Sequence, residues 1–167
     1  MSNGWDSYIW RIQNTWSDRQ TKYTMTNVAS AAAIYGIDGS CWACSADWPG
    51  LNEYDHDQEM DDGSTKNIRV NEFACALGVS KGTRKPSAAG CRMGGQKYLM
   101  TTHDAETNVA MLTRTGGGGG TVAKTKNAII IGIWDKTAMM SNNKNQNAGD
   151  CAMNVEKVHK LLTDAGY

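Results

Sequence analysis

The sequence predicts an α+β fold, a central antiparallel β-sheet with an amphipathic helix at each end of the chain. Three observations carry this. Near the start, apolar residues fall at Trp5, Tyr8, Ile9, Ile12 and Trp16, in steps of three and four that mark one helical face. Near the end, Cys151, Val155, Val158 and Leu162 repeat that spacing. Between them lie short apolar segments joined by short connections, the pattern of an antiparallel meander.

The elements follow in order. Ser2 or Asn3 is positioned to cap the first helix, and residues 17–27 are polar and read as a loop. Val28 to Tyr35 is small and apolar and runs into Gly36-Ile37-Asp38-Gly39, a buried strand and its turn. Ser40 to Ala46 reads as the returning strand. Residues 49–69 carry Glu53, Asp55, Asp57, Glu59, Asp61 and Asp62 and read as a solvated acidic loop with room for a short helix. Val70 to Leu77 reads as a helix. Strands are expected near 89–93, 96–102, 107–114, 120–125 and 127–134. The uninterrupted apolar run Ala128–Ile133 marks a central strand covered on both faces. Residues 135–147 are polar and Asn-rich, and the last helix ends near Gly166. With 167 residues, no repeats and no separating linker, one domain over 1–167 is expected.

Charge and composition narrow the function. Seventeen basic and 17 acidic residues cancel, which gives no electrostatic footprint for nucleic acid. No apolar run approaches membrane-spanning length, and the N-terminal residues lack the pattern of a signal peptide. Five cysteines without such a signal fit a reduced, cytoplasmic setting. One Phe stands against six Trp and six Tyr, a bias toward rings that are apolar at one end and can hydrogen-bond at the other.

Several motifs are set aside on physical grounds. Cys41-Trp42-Ala43-Cys44 has the spacing of a redox dithiol or half a zinc site. On a regular strand, residues three apart face opposite sides of the sheet, so the pair is expected to be structural. Gly118 to Thr125 nearly matches a phosphate-binding loop, but Ala123 replaces the second glycine and a strand follows where a helix is needed. Asp55-x-Asp57-x-Glu59 begins like a calcium loop, but Met60 and Lys66 stand where that loop needs Gly and Glu. His56, His103 and His159 sit in no nucleophile or base motif, so catalysis is not expected. No metal or cofactor is expected. The aromatics at the chain ends fit two roles, packing of the terminal helices or a groove for stiff polyproline peptides.

The chain resembles the profilin family along nearly its whole length. Gly4-Trp5-Asp6-Ser7-Tyr8-Ile9 resembles the opening W-x-x-Y-[IV] helix of that family. Ala32 to Ala43 resembles its A-A-I-x-G-x-D-G-x-x-W-A strand pair, and Met93-Gly94-Gly95-Gln96-Lys97-Tyr98 resembles its L-G-G-Q-K-[CY] turn. The Gly-rich tip before Ala128–Ile133 fits as well. So does Cys151-Ala152-Met153-Asn154-Val155-Glu156 leading to a terminal aromatic, the form of plant and protist profilins. Residues 17–27 and 49–69 are longer than in plant or animal members and mark a divergent protist type.

The resemblance implies both terminal helices side by side on one face of the sheet, with shorter helices on the other. It implies binding of monomeric actin, of proline-rich partners such as formin-type assembly factors, and of phosphoinositide headgroups, by a monomer at the cytoplasmic actin cytoskeleton. By matching position, the proline-binding residues are Trp5, Tyr8, Trp42, Leu161 and Tyr167. Leu161 departs from the usual His or Tyr, which removes one ring or donor and about 1 kcal/mol. The actin face corresponds to Lys97, Leu99, Met100, Arg114, Asn147, Cys151, Ala152 and Met153. Phosphoinositide binding would use Arg84, Lys85, Arg92 and Lys97. An alternative is an adaptor that binds only proline-rich peptides.

Overall fold

The computed structural model describes residues 4–16 and 23–167 of the chain. Helix α1 (Asp6–Gln13) is followed by a small ribbon of β1 (Thr15–Trp16) and β2 (Tyr23–Met25). The proposed caps Ser2 and Asn3 lie outside the described residues, as does most of the 17–27 loop. Strands β3 (Ala31–Gly36) and β4 (Cys41–Cys44) form a hairpin, and β5 (Glu53–Glu59) pairs with β6 (Thr65–Asn71) as a separate one. Helix α2 (Glu72–Ser80) leads to β7 (Cys91–Met93), β8 (Gln96–Asp104), β9 (Val109–Arg114), β10 (Gly119–Lys124) and β11 (Ala128–Trp134). Helix α3 (Ala148–Asp164) closes the chain.

Seven strands make one antiparallel sheet in the order β4-β3-β11-β10-β9-β8-β7. The isoleucine-rich run of β11 lies inside it, and its residues 128–133 are all buried, as a strand covered on both faces requires. Alternation along each strand sorts side chains between two cores. Ala31, Ala33, Tyr35, Leu112, Ile129 and Ile131 pack under α2. Ile34, Ala123, Ile130 and Ala128 pack against Ile9 and Ile12 of α1 and Val155, Val158 and Leu162 of α3. The two terminal helices therefore share one face of the sheet, and α2 covers the other.

Gly132 sets how closely those helices approach. A Cβ there would lie 2.8 Å from Val155 Cγ2 and 3.1 Å from Ile12 Cγ2, one contact on each helix. Gly132→Ala is expected to cost about 1–3 kcal/mol through overpacking, read as a lower denaturant midpoint with an unchanged slope.

Two expectations are corrected. Residues 49–69 are no loop: β5 and β6 pair in unbroken register from Glu53↔Asn71 to Glu59↔Thr65. The tip turns at Gly63, whose φ is +84°, with Ser64 donating to the Asp62 carboxylate. Tyr54, Ile68 and Val70 anchor the base of the hairpin against Ala89. The predicted helix at Val70–Leu77 accordingly starts later, where the Asn71 side chain accepts from the amide of Ala74 as its cap.

The second correction concerns β4. Its register runs Ala33↔Cys44, Ile34↔Ala43, Tyr35↔Cys41, so Trp42 is an extra residue in a β-bulge. The bulge reverses the simple alternation. Cys41 and Cys44, opposite Tyr35 and Ala33, share the α2 face, while Trp42 and Ala43 both turn to the face of α1 and α3.

Candidate functional site

The bulge delivers Trp42 to the aromatics of the chain ends. Trp5 is the hub of the group. Its ring centroid lies 4.6 Å from Trp42, 4.9 Å from Tyr167 and 5.6 Å from Tyr8. Tyr167 also meets Trp42 edge-on at 6.1 Å. Trp5, Tyr8 and Trp42 are half-buried against the α1–α3 core, and Tyr167 is 40% exposed. Such a cluster presents ring faces and edges to solvent at low conformational cost.

Local structure explains each placement. Tyr8 stands three residues after Trp5 on α1, so both rings leave the same side of the helix. Gly36 leaves room for Trp42: a Cβ there would lie 2.8 Å from the indole Nε1. Tyr167 is held by its amide, which donates to the carbonyl of Leu162 just past the end of α3. Leu161 is 36% exposed on α3. It lines a cavity of about 290 Å³ with Arg11, Trp16, Lys157, Lys160 and Asp164, where the Arg11 guanidinium sits 5.7 Å over the Trp16 ring. Trp16 and Arg11 were not foreseen beside it; Trp16, expected as the last position of the first helical face, lies instead on β1, because α1 ends at Gln13.

The eight positions assigned to the sheet face divide. Lys97 and Leu99 alternate outward on β8, with Leu99 59% exposed. Asn147 caps α3 by accepting from the amide of Asp150, and Met153 on that helix is 51% exposed. Met100 instead turns inward to the α2 core, and Cys151 and Ala152 are buried beneath α3. Burial pushes the Cys151 thiol up to about 12. Arg114 pairs across the sheet with Tyr98, on the α2 side. It donates to the Tyr98 hydroxyl at 3.2 Å and bridges Asp135 at 3.6 Å, lining a cavity of about 310 Å³ with Trp48, Pro49 and Gln96. The structure thus groups Lys97, Leu99, Asn147 and Met153 as surface positions and leaves the other four as supports or on the opposite side.

A third feature joins two predictions made separately. Arg84, Lys85 and Lys97 line a cleft of about 350 Å³ whose other wall is the tip of the acidic hairpin, Glu59, Met60 and Asp61. Arg92 stands apart from that cleft. It donates to the Tyr54 hydroxyl and the Gly95 carbonyl, and so ties the hairpin to the β7–β8 turn. Among the described residues no group of three or more His, Cys, Asp or Glu could hold a metal ion, and no helix is long and apolar enough to cross a membrane.

Comparison with known proteins gives consistent relatives. The family model for profilin matches residues 4–167. A profilin of Tetrahymena pyriformis is 32% identical over 168 residues, covering 99% of each chain. Among solved structures, Acanthamoeba castellanii profilin II superposes with a TM-score of 0.56 at 22% identity, covering 84% of this chain and 89% of its own. Mouse profilin IIa, solved in complex with a double repeat from the FH1 domain of mDia1, gives 0.57 at 16% identity, covering 99% and 100%. At these identities the structural likenesses speak for the fold.

Proposed function

The chain belongs to the profilin family, a family of non-enzymatic actin-binding proteins, and we propose from this that it binds actin monomers and presents them to partners carrying proline-rich segments. The observation that carries the reading is the four-ring cluster around Trp5, formed from both chain ends and the bulged strand. A polyproline II helix is stiff and loses little entropy on docking, and its rings stack on aromatic faces. The relative solved with an FH1 repeat supports formin-type segments as the partner class. The protein would act as a single profilin unit over 1–167, in the cytoplasm at the actin cytoskeleton.

The actin surface is proposed at Lys97, Leu99, Asn147 and Met153, which offer one cation, two apolar side chains and a helix cap, each exposed. Titration of actin monomers tests this. The double variant Lys97→Glu, Leu99→Asp is expected to bind actin at least tenfold more weakly while its affinity for a proline-rich peptide stays within about twofold. A wild-type protein that binds the peptide but not actin at tens of micromolar would be an adaptor instead.

Phosphoinositide headgroups are proposed for the cleft of Arg84, Lys85 and Lys97, whose charges suit a phosphate. The acidic tip on its other wall opposes such a ligand. Removing 53–62 would take Tyr54 out of the hairpin's anchor as well, so the cleaner test is Glu59→Gln with Asp61→Asn. That variant is expected to bind vesicles containing phosphatidylinositol bisphosphate several-fold more tightly, about 1 kcal/mol for two neutralised charges, with the gain shrinking as salt rises.

A further inference from the structure

We propose that Cys41 and Cys44 form a surface dithiol that closes to a disulfide in the presence of a low-molecular-weight disulfide, and that closure weakens the aromatic platform on the other side of the same strand. Both thiols are free, exposed and on one face of β4. The bulge makes the reach possible. Their partners Tyr35 and Ala33 are two positions apart on β3, so Cys41 and Cys44 bracket a span of about 6.6 Å rather than the roughly 10 Å of an unbulged strand. The shorter span falls within the Cα separations that disulfides adopt. Burial and the neighbouring sulfur raise the Cys41 thiol above its ordinary range, so closure accelerates with pH. As an edge strand paired only to β3, β4 can shift without breaking a second ladder.

The chemistry balances. One thiolate attacks a sulfur of the oxidant and releases the first small thiol, leaving a mixed disulfide on the protein. The second thiolate displaces the bound half. The protein loses two protons and two electrons, and the oxidant leaves as two thiols. Trp42 is the residue that the closing link must draw on, because it is the extra residue between the two sulfurs. Its ring lies 4.6 Å from Trp5 and closely over Gly36, so it has little room to move without leaving the cluster.

The effect on peptide rests on the proline-binding reading; the bridge itself does not. Reduced full-length protein is treated with glutathione disulfide and followed by intact mass, peptide mapping and calorimetric titration with a proline-rich peptide. The expected result is a loss of two hydrogens, a bridge mapped to Cys41–Cys44, a peptide affinity lowered about tenfold and full recovery with dithiothreitol. The Cys41→Ser, Cys44→Ser variant is expected to keep its mass and its peptide affinity under the same treatment. Stable glutathione adducts without a bridge would overturn the proposal. So would a bridge between Cys75 and Cys91, the other neighbouring pair, which is buried in the α2 core. A 41–44 bridge with unchanged peptide affinity and unchanged tryptophan emission would overturn the coupling. Failure of the reduced protein to bind peptide would count against the proline reading alone, because the mapping and the emission are read without peptide.

Discussion

Trp5→Ala is expected to weaken binding of a proline-rich peptide by about 30-fold or more, close to 2 kcal/mol. Trp5 is the ring that three others touch, at 4.6, 4.9 and 5.6 Å, so its removal leaves Trp42, Tyr8 and Tyr167 without their common neighbour. Truncating Tyr8 removes one of those contacts and should cost about a third as much, near the value of a single aromatic pair. The fold should survive the change at Trp5, since the carbonyl that receives the amides of Tyr8 and Ile9 belongs to the backbone. Calorimetry with the peptide reads the loss. Actin affinity, measured beside it, should hold within about twofold, because the proposed actin positions lie on β8 and α3 and not among the four rings.

Glu72→Ala is expected to produce the largest loss of stability, roughly 3–5 kcal/mol, read by denaturant unfolding. Glu72 is completely buried at the start of α2. One carboxylate oxygen accepts from the amide of Asn52, and the other accepts from the Tyr54 hydroxyl and the amide of Gly95. Alanine would leave these three donors facing a void. Glu72→Gln keeps the volume but turns an amide NH2 toward one donor side, so about half the loss is expected. The three donors come from the segment leading into the acidic hairpin, the hairpin itself and the Gly94-Gly95 turn. The same carboxylate therefore holds the hairpin in position above Lys97, and the alanine variant should also loosen the cleft.

Much of this fold could be read from residue spacing. The helix faces of α1 and α3 and the fully apolar β11 carry strong periodic signals, and each occurs where it was expected. The β5–β6 hairpin escaped because it has almost nothing apolar to alternate. Along β5, half-buried Tyr54, His56 and Gln58 alternate with exposed Glu53, Asp55, Asp57 and Glu59, so both faces are polar. Its support comes from its register, its Asx turn and the ion pairs of Arg69 with Glu53 and Asp55, none of which shows in hydrophobic spacing. The aromatic cluster was accessible only through family resemblance, because a helical stripe of rings looks the same whether it packs or binds. Positions carried over singly fared unevenly for a related reason. Motif matching gives a place on a strand and not which way its side chain faces, and so Met100 and Arg114 were grouped with Lys97 and Leu99 although they lie on the other face.

The extra residue in β4 also gives that short segment one position to spare. Deleting Ala43 would close the bulge and leave Trp42 opposite Ile34, with both sulfurs still opposite Tyr35 and Ala33, so each remaining side chain would keep its face. A chain shortened by one residue at this point would keep the parity that separates its sulfur chemistry from its aromatic surface.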